Sequence, residues 1–167
     1  MTLEELNQSS AEVCKAALEK CCGSSSWTEG MNSLRPFLSK NDLLEKADLV
    51  WSRCTPSDGL EAFTHHPKIG DLENLEKKFA STKDWAGGEQ KSVETAARET
   101  LLALAQGNTD YENKFGYIFI VCASGKTAEE MLTLLQNRIH HSAEEEIQIA
   151  MGEQHKITHL RLEKLLA

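Results

Sequence analysis

Three residues in this sequence stand where their side chains could do chemistry. His66 directly precedes Pro67 in the loop sequence His65-His66-Pro67-Lys68-Ile69-Gly70-Asp71. An imidazole with a reference pKa near ~6.5 can both give and take a proton at neutral pH, and a proline just beyond it fixes the backbone that presents it. Taken alone, a His-Pro pair in a loop is more often an ordinary loop histidine. Glu89 opens the helix that follows Gly88, at the edge of the apolar arc of Val93, Ala96, Thr100 and Leu104. It is either an inward-facing carboxylate or an acid that favours the positive end of the helix dipole. Arg161 projects from within the arc that Ile147, Ala150, Met151, Ile157, Leu162 and Leu165 form on the last helix. A guanidinium so placed needs a partner, and both a structural carboxylate and an anionic ligand held by a two-pronged hydrogen bond fit that need.

Other constellations carry less. His155 and His159 are spaced i, i+4 and Glu163 continues their row, but the row lies on the flank of the apolar arc and has no intervening HExxH glutamate, so no metal is expected. Ser124-Gly125-Lys126-Thr127 ends like a phosphate-binding loop, yet the glycine that such a loop needs upstream is replaced by Ile120. The five cysteines include no CxxC pair, and Cys14, Cys21 and Cys22 read as small buried hydrophobes rather than as a disulfide framework.

The elements that must position these residues are helical. Thr2 with Glu5, Ser9 with Glu12, and Ser26 with Glu29 have the reciprocal capping form, which predicts three short helices in the first thirty-odd residues. In the second, Val13, Cys14, Ala17, Leu18 and Cys21 form the inward stripe, stopped by Gly23 and the serines after it. The third ends at Arg35-Pro36. Asn41 or Asp42 caps a helix with a stripe of Leu43, Leu44, Ala47, Val50 and Trp51, which Thr55-Pro56-Ser57 ends. A turn and a half over 58–63, a brief helix from Asp71 to about Phe79 and a connection over 81–88 follow. A helix from Glu89 to about Gln106 stops at Gly107-Asn108, and a turn or two leads from Thr109 to Phe115. Tyr117 to Ala123 has strand propensity but no second strand to pair with, so it reads as buried extended or helical backbone in an all-α domain. Helices from Thr127 to about Arg138 and from Ser142 to about Leu166 complete a single compact domain spanning 1–167.

The composition bounds the function. With 167 residues and 40% hydrophobic positions, the chain can bury a core without staples. Its net charge of -8 and scattered basic residues argue against nucleic acid, and no apolar stretch is long enough to span a bilayer. The N-terminus has no signal-peptide pattern, and the chain ends Leu165-Leu166-Ala167 without a peroxisomal tripeptide, so Met1 as the mature start and a cytoplasmic location are expected.

Together, Arg35-Pro36-Phe37, the segment from His66 to Asp71, Glu89-Gln90, the segment from Phe115 to Ala123 and His159-Leu160-Arg161-Leu162 resemble the 2-oxo-4-hydroxy-4-carboxy-5-ureidoimidazoline decarboxylase family of urate degradation, in order and spacing from about Leu6 to Leu166. The resemblance implies eight or nine helices, a homodimer, no cofactor, and conversion of that small-molecule substrate to (S)-allantoin and carbon dioxide. By position it implies His66 as catalytic histidine, Glu89 as its paired carboxylate, and Gln90 and Arg161 as substrate contacts. Pro67, Ala86 and the run Phe119, Ile120, Val121, Cys122 and Ala123 line the substrate. Many members carry serine where this chain has Ala86, leaving that hydrogen bond to Thr82, Gln90 or water. The competing reading is a non-catalytic helical interaction module that docks a partner on the 117–123 segment, and a third is a metal-dependent hydrolase built on His155 and His159.

Overall fold

The computed structural model describes residues 1–67, 72–79 and 90–167, with the backbone alone at 78 and 90–96. Among the described residues are nine helices and no strand: α1 Leu3–Gln8, α2 Ala11–Glu19, α3 Ser25–Ser33, α4 Lys40–Trp51, α5 Pro56–Thr64, α6 Leu72–Lys78, α7 Gln90–Phe115, α8 Ala128–Arg138 and α9 Ala143–Leu165. The all-α expectation therefore holds. The chain divides into two compact units, one of residues 1–66 and 147–167, the other of residues 67–146.

In the first unit, α3 packs on α2, α4 and α5 around Leu18, Trp27, Met31, Phe37 and Leu43, all essentially buried. The caps explain where these helices start, and several differ from the sequence expectation. Thr2 and Glu5 form the anticipated capping box. Ser9 instead closes α1, its hydroxyl donating to the Leu6 carbonyl, and α2 is capped by Ser10, which accepts from the Val13 N–H. The cap of α3 is Ser24, not Ser26, because Trp27 must enter the core within the first turn, and Glu29 pairs with Lys15 instead. Ser39 caps α4, while the Asp42 carboxylate accepts from the Leu38 N–H at 2.8 Å. Thr55-Pro56, expected to end a helix, begins α5 with proline at its first position, where no N–H is needed. Each such cap is worth about 1 kcal/mol. Val13 is an exception to the α2 stripe, half exposed while Cys14, Ala17 and Leu18 face inward.

In the second unit, α7 runs straight through Gly107-Asn108, where a stop was expected. A Cβ on Gly107 would lie 2.7 Å from Leu135 Cδ2, so this glycine serves the close approach of α8 rather than a helix end. The end comes at Gly116, whose φ of 82° and N–H to the Glu112 carbonyl at 2.8 Å make it a left-handed C-terminal cap. The segment 118–123 that follows is neither helix nor strand. Phe119, Ile120 and Cys122 are buried, and cationic side chains take over the work of a sheet ladder. Arg138 Nη1 donates to the Ile120 carbonyl and Lys126 Nζ to the Cys122 carbonyl, each at 2.7 Å. Expected elements at Asp71, 81–88 and Glu89 lie outside the described residues.

Candidate active site

His66 follows the last turn of α5, with its N–H on the Phe63 carbonyl at 3.2 Å. His65 is exposed and lies over Gly23, where a Cβ would come within 2.3 Å of the His65 ring, so the α2–α3 connection accepts no side chain there. His66 itself is half buried, and both ring nitrogens have neighbours on α9 within the same unit. Nε2 stands 2.5 Å from Gln154 Oε1, and Nδ1 stands 3.5 Å from Arg161 Nη2.

These contacts define the tautomer. A guanidinium can only donate, so Nδ1 is the acceptor and the ring proton sits on Nε2, donated to Gln154 Oε1. The Gln154 amide is fixed in turn, because its Nε2 donates to Thr158 Oγ1 at 3.2 Å and the Thr158 hydroxyl donates to the Gln154 backbone carbonyl at 3.0 Å. Gln154 and Thr158 are buried at 0% and 1% exposure, so this chain of bonds is shielded from competing water. Burial, the largest cause, pulls the His66 pKa below its usual value; the Gln154 hydrogen bond opposes this, and the positive charge of Arg161 adds to it. The result is a neutral imidazole with a basic lone pair on Nδ1, directed at the guanidinium.

Arg161 is half buried, and besides His66 its hydrogen bond is to the Lys20 carbonyl at 3.4 Å. Among the described residues no carboxylate pairs with it, so of the two readings open in the sequence the structural salt bridge finds no support there. Such a guanidinium can receive a ligand carboxylate on its free donors. The neighbouring thiols do not compete as nucleophiles, since burial pushes Cys21 and Cys22 up to about 11.

The other expected site residues fall in three groups. Pro67 is exposed, and Phe119, Ile120, Val121, Cys122 and Ala123 form the segment held by Arg138 and Lys126. Gln90 is the first residue of α7. Ala86 and Glu89 lie outside the described residues. Sequence reasoning missed Gln154 and Thr158, although with Arg161 they follow the i, i+4, i+7 spacing of one helical stripe. Their polarity hid them, because the inner face of α9 was traced through its apolar residues; Ile147, Ile157 and Leu165 are in fact only half buried.

Within an all-α fold, the described residues thus place a neutral histidine against an arginine. The family profile described as OHCU decarboxylase matches residues 7–163, and the chain belongs to this family. The uric acid degradation bifunctional protein of Arabidopsis thaliana is 35% identical over 93% of this chain and 48% of its own length. The bifunctional protein of Bacillus subtilis is 28% identical over 99% of this chain and 33% of its own. The chain thus spans half or less of these relatives. The mouse 2-oxo-4-hydroxy-4-carboxy-5-ureidoimidazoline decarboxylase is 31% identical, with 80% of this chain aligned to 75% of that protein. A crystal structure of OHCU decarboxylase in the presence of (S)-allantoin superposes with a TM-score of 0.72 at 34% identity, covering 95% of this chain and 99% of that one.

Proposed function

We propose that this chain is a cofactor-independent carboxy-lyase that converts 2-oxo-4-hydroxy-4-carboxy-5-ureidoimidazoline to (S)-allantoin and carbon dioxide. Support comes from the family and from one observation above all: the neutral His66, its proton parked on Gln154, offers Nδ1 beside an arginine that no described carboxylate claims. In this reading Arg161, with Gln90, grips the substrate's polar groups. As the bond to the carboxylate breaks, its electron pair moves into the conjugated ring, and carbon dioxide leaves. His66 Nδ1 takes the proton of the 4-hydroxyl, which becomes a carbonyl, and returns it to the ring carbon on one face; one further proton enters from solvent. Because the substrate holds the electron pair itself, the protein supplies position and protons.

Gln154, which accepts from His66 Nε2, is proposed to orient the imidazole, and Glu89 to be the paired carboxylate. Pro67, Ala86 and 119–123 are proposed to line the substrate, and residues 1–167 to act as one catalytic domain in a cytoplasmic homodimer. No helix among the described residues is long and apolar enough to cross a membrane. The deciding experiment supplies freshly generated substrate and follows the circular dichroism of the product. The wild type should give the S enantiomer and His66→Asn a racemic product at the uncatalysed rate; an unchanged signal from the variant removes His66 from the chemistry.

A further inference from the structure

We infer that Asp48, His155 and His159 form a binding site for a divalent transition-metal ion of the zinc type, built from residues that the His66 cluster does not use. The two histidines, one turn apart on α9, both direct Nε2 at the same atom, Oδ1 of Asp48 on α4, at 2.7 and 2.6 Å. One donor atom from each of the three lies within 4.8 Å of the others. Glu163, which the sequence suggested as the third member of the row, pairs with Lys40 instead. The third ligand comes from more than a hundred residues away, which is why spacing alone could not find it.

Two imidazole nitrogens and one carboxylate oxygen make the donor set that zinc and its neighbours prefer. A tetrahedral ion with bonds of about 2.0–2.2 Å holds its donors roughly 3.3 Å apart, so the two nitrogen–oxygen distances of 2.7 and 2.6 Å must open by well under an ångström. Asp48 can yield that distance because its side chain is 55% exposed. A tetrahedral ion held by these three ligands would take water as its fourth. His155 Nδ1 is buried without a hydrogen-bond partner among the described residues, so the remote nitrogen has no acceptor to stiffen the ring. That deficit points to an exchangeable, micromolar site rather than a tight one. Bound there, the ion would tie α4 to α9 where a bridging carboxylate otherwise does so.

The test uses the full chain after chelator treatment and desalting. Zinc is titrated calorimetrically, and cobalt is followed by absorption. One equivalent of zinc should bind with micromolar affinity, weakened at least about tenfold in both His159→Gln and Asp48→Asn, and cobalt should give ligand-field bands of nitrogen and oxygen coordination. Zinc should also raise the melting temperature of the wild type more than that of His159→Gln at the same concentration, a readout that does not depend on the affinity fit. The inference is overturned by no heat at millimolar zinc, by equal affinity in wild type and both variants, or by a thiolate-to-cobalt charge-transfer band, which would place the ion on a cysteine.

Discussion

At the scale of single residues, the decisive group is Gln154, an amide with no charge of its own. By accepting from Nε2–H of His66 it keeps the basic lone pair on Nδ1. Since the folded pKa of His66 lies below its ordinary value, the neutral base persists as pH falls through 6.5 and is lost only further down. The acid limb of the kcat/KM profile should therefore lie below that value. Gln154→Glu keeps the shape but places a carboxylate beside Nε2, favouring the imidazolium, and should raise the limb by about 1–3 pH units. A limb that stays in place would mean Gln154 only fills space. His66 and Arg161 were legible in the sequence because a loop histidine before proline and a cation in an apolar arc are anomalies. Gln154 was not, since its role depends on a ring 88 residues away in the chain.

At the scale of elements, helix type and order were legible, whereas helix starts and the extended segment depended on tertiary partners. Ser24 rather than Ser26 caps α3 because Trp27 has to be buried, and Gly107 stays helical because Leu135 needs its space. Strand propensity in 117–123 is real, but what holds the segment is a side-chain assembly. Arg138, whose Nη1 binds the Ile120 carbonyl, is fixed by Nε to Glu146 Oε1 at 2.7 Å, and its guanidinium lies 4.5 Å over the Phe119 ring. Glu146 also accepts from Tyr111 at 2.5 Å and contacts His141 Nδ1 at 3.0 Å. Both ionic partners are buried, with side-chain exposures of 6% and 0%. Removing one leaves the other uncompensated, so Glu146→Ala should cost about 3–5 kcal/mol in denaturant-induced unfolding. A loss below about 1 kcal/mol would mean the segment stands without this pair.

At the scale of the whole molecule, a net charge of -8 sets a field that repels the carboxylate substrate proposed here. Attraction must then be local, and Arg161 is the cation placed to supply it beside His66. The two fields respond differently to salt. Screening shortens from about 30 Å at 0.01 M to about 8 Å at 0.15 M, which removes long-range repulsion but leaves a contact of a few ångströms largely intact. KM should accordingly stay level or fall, by about twofold at most, as ionic strength rises over that range. Arg161→Lys keeps the charge and so the same flat salt response, but it loses the planar fork and should raise KM at every salt concentration. A wild-type KM that climbs steeply with salt would show attractive steering by groups other than Arg161. A KM unchanged in the lysine variant would mean that a point charge suffices and that the fork geometry has no part in binding.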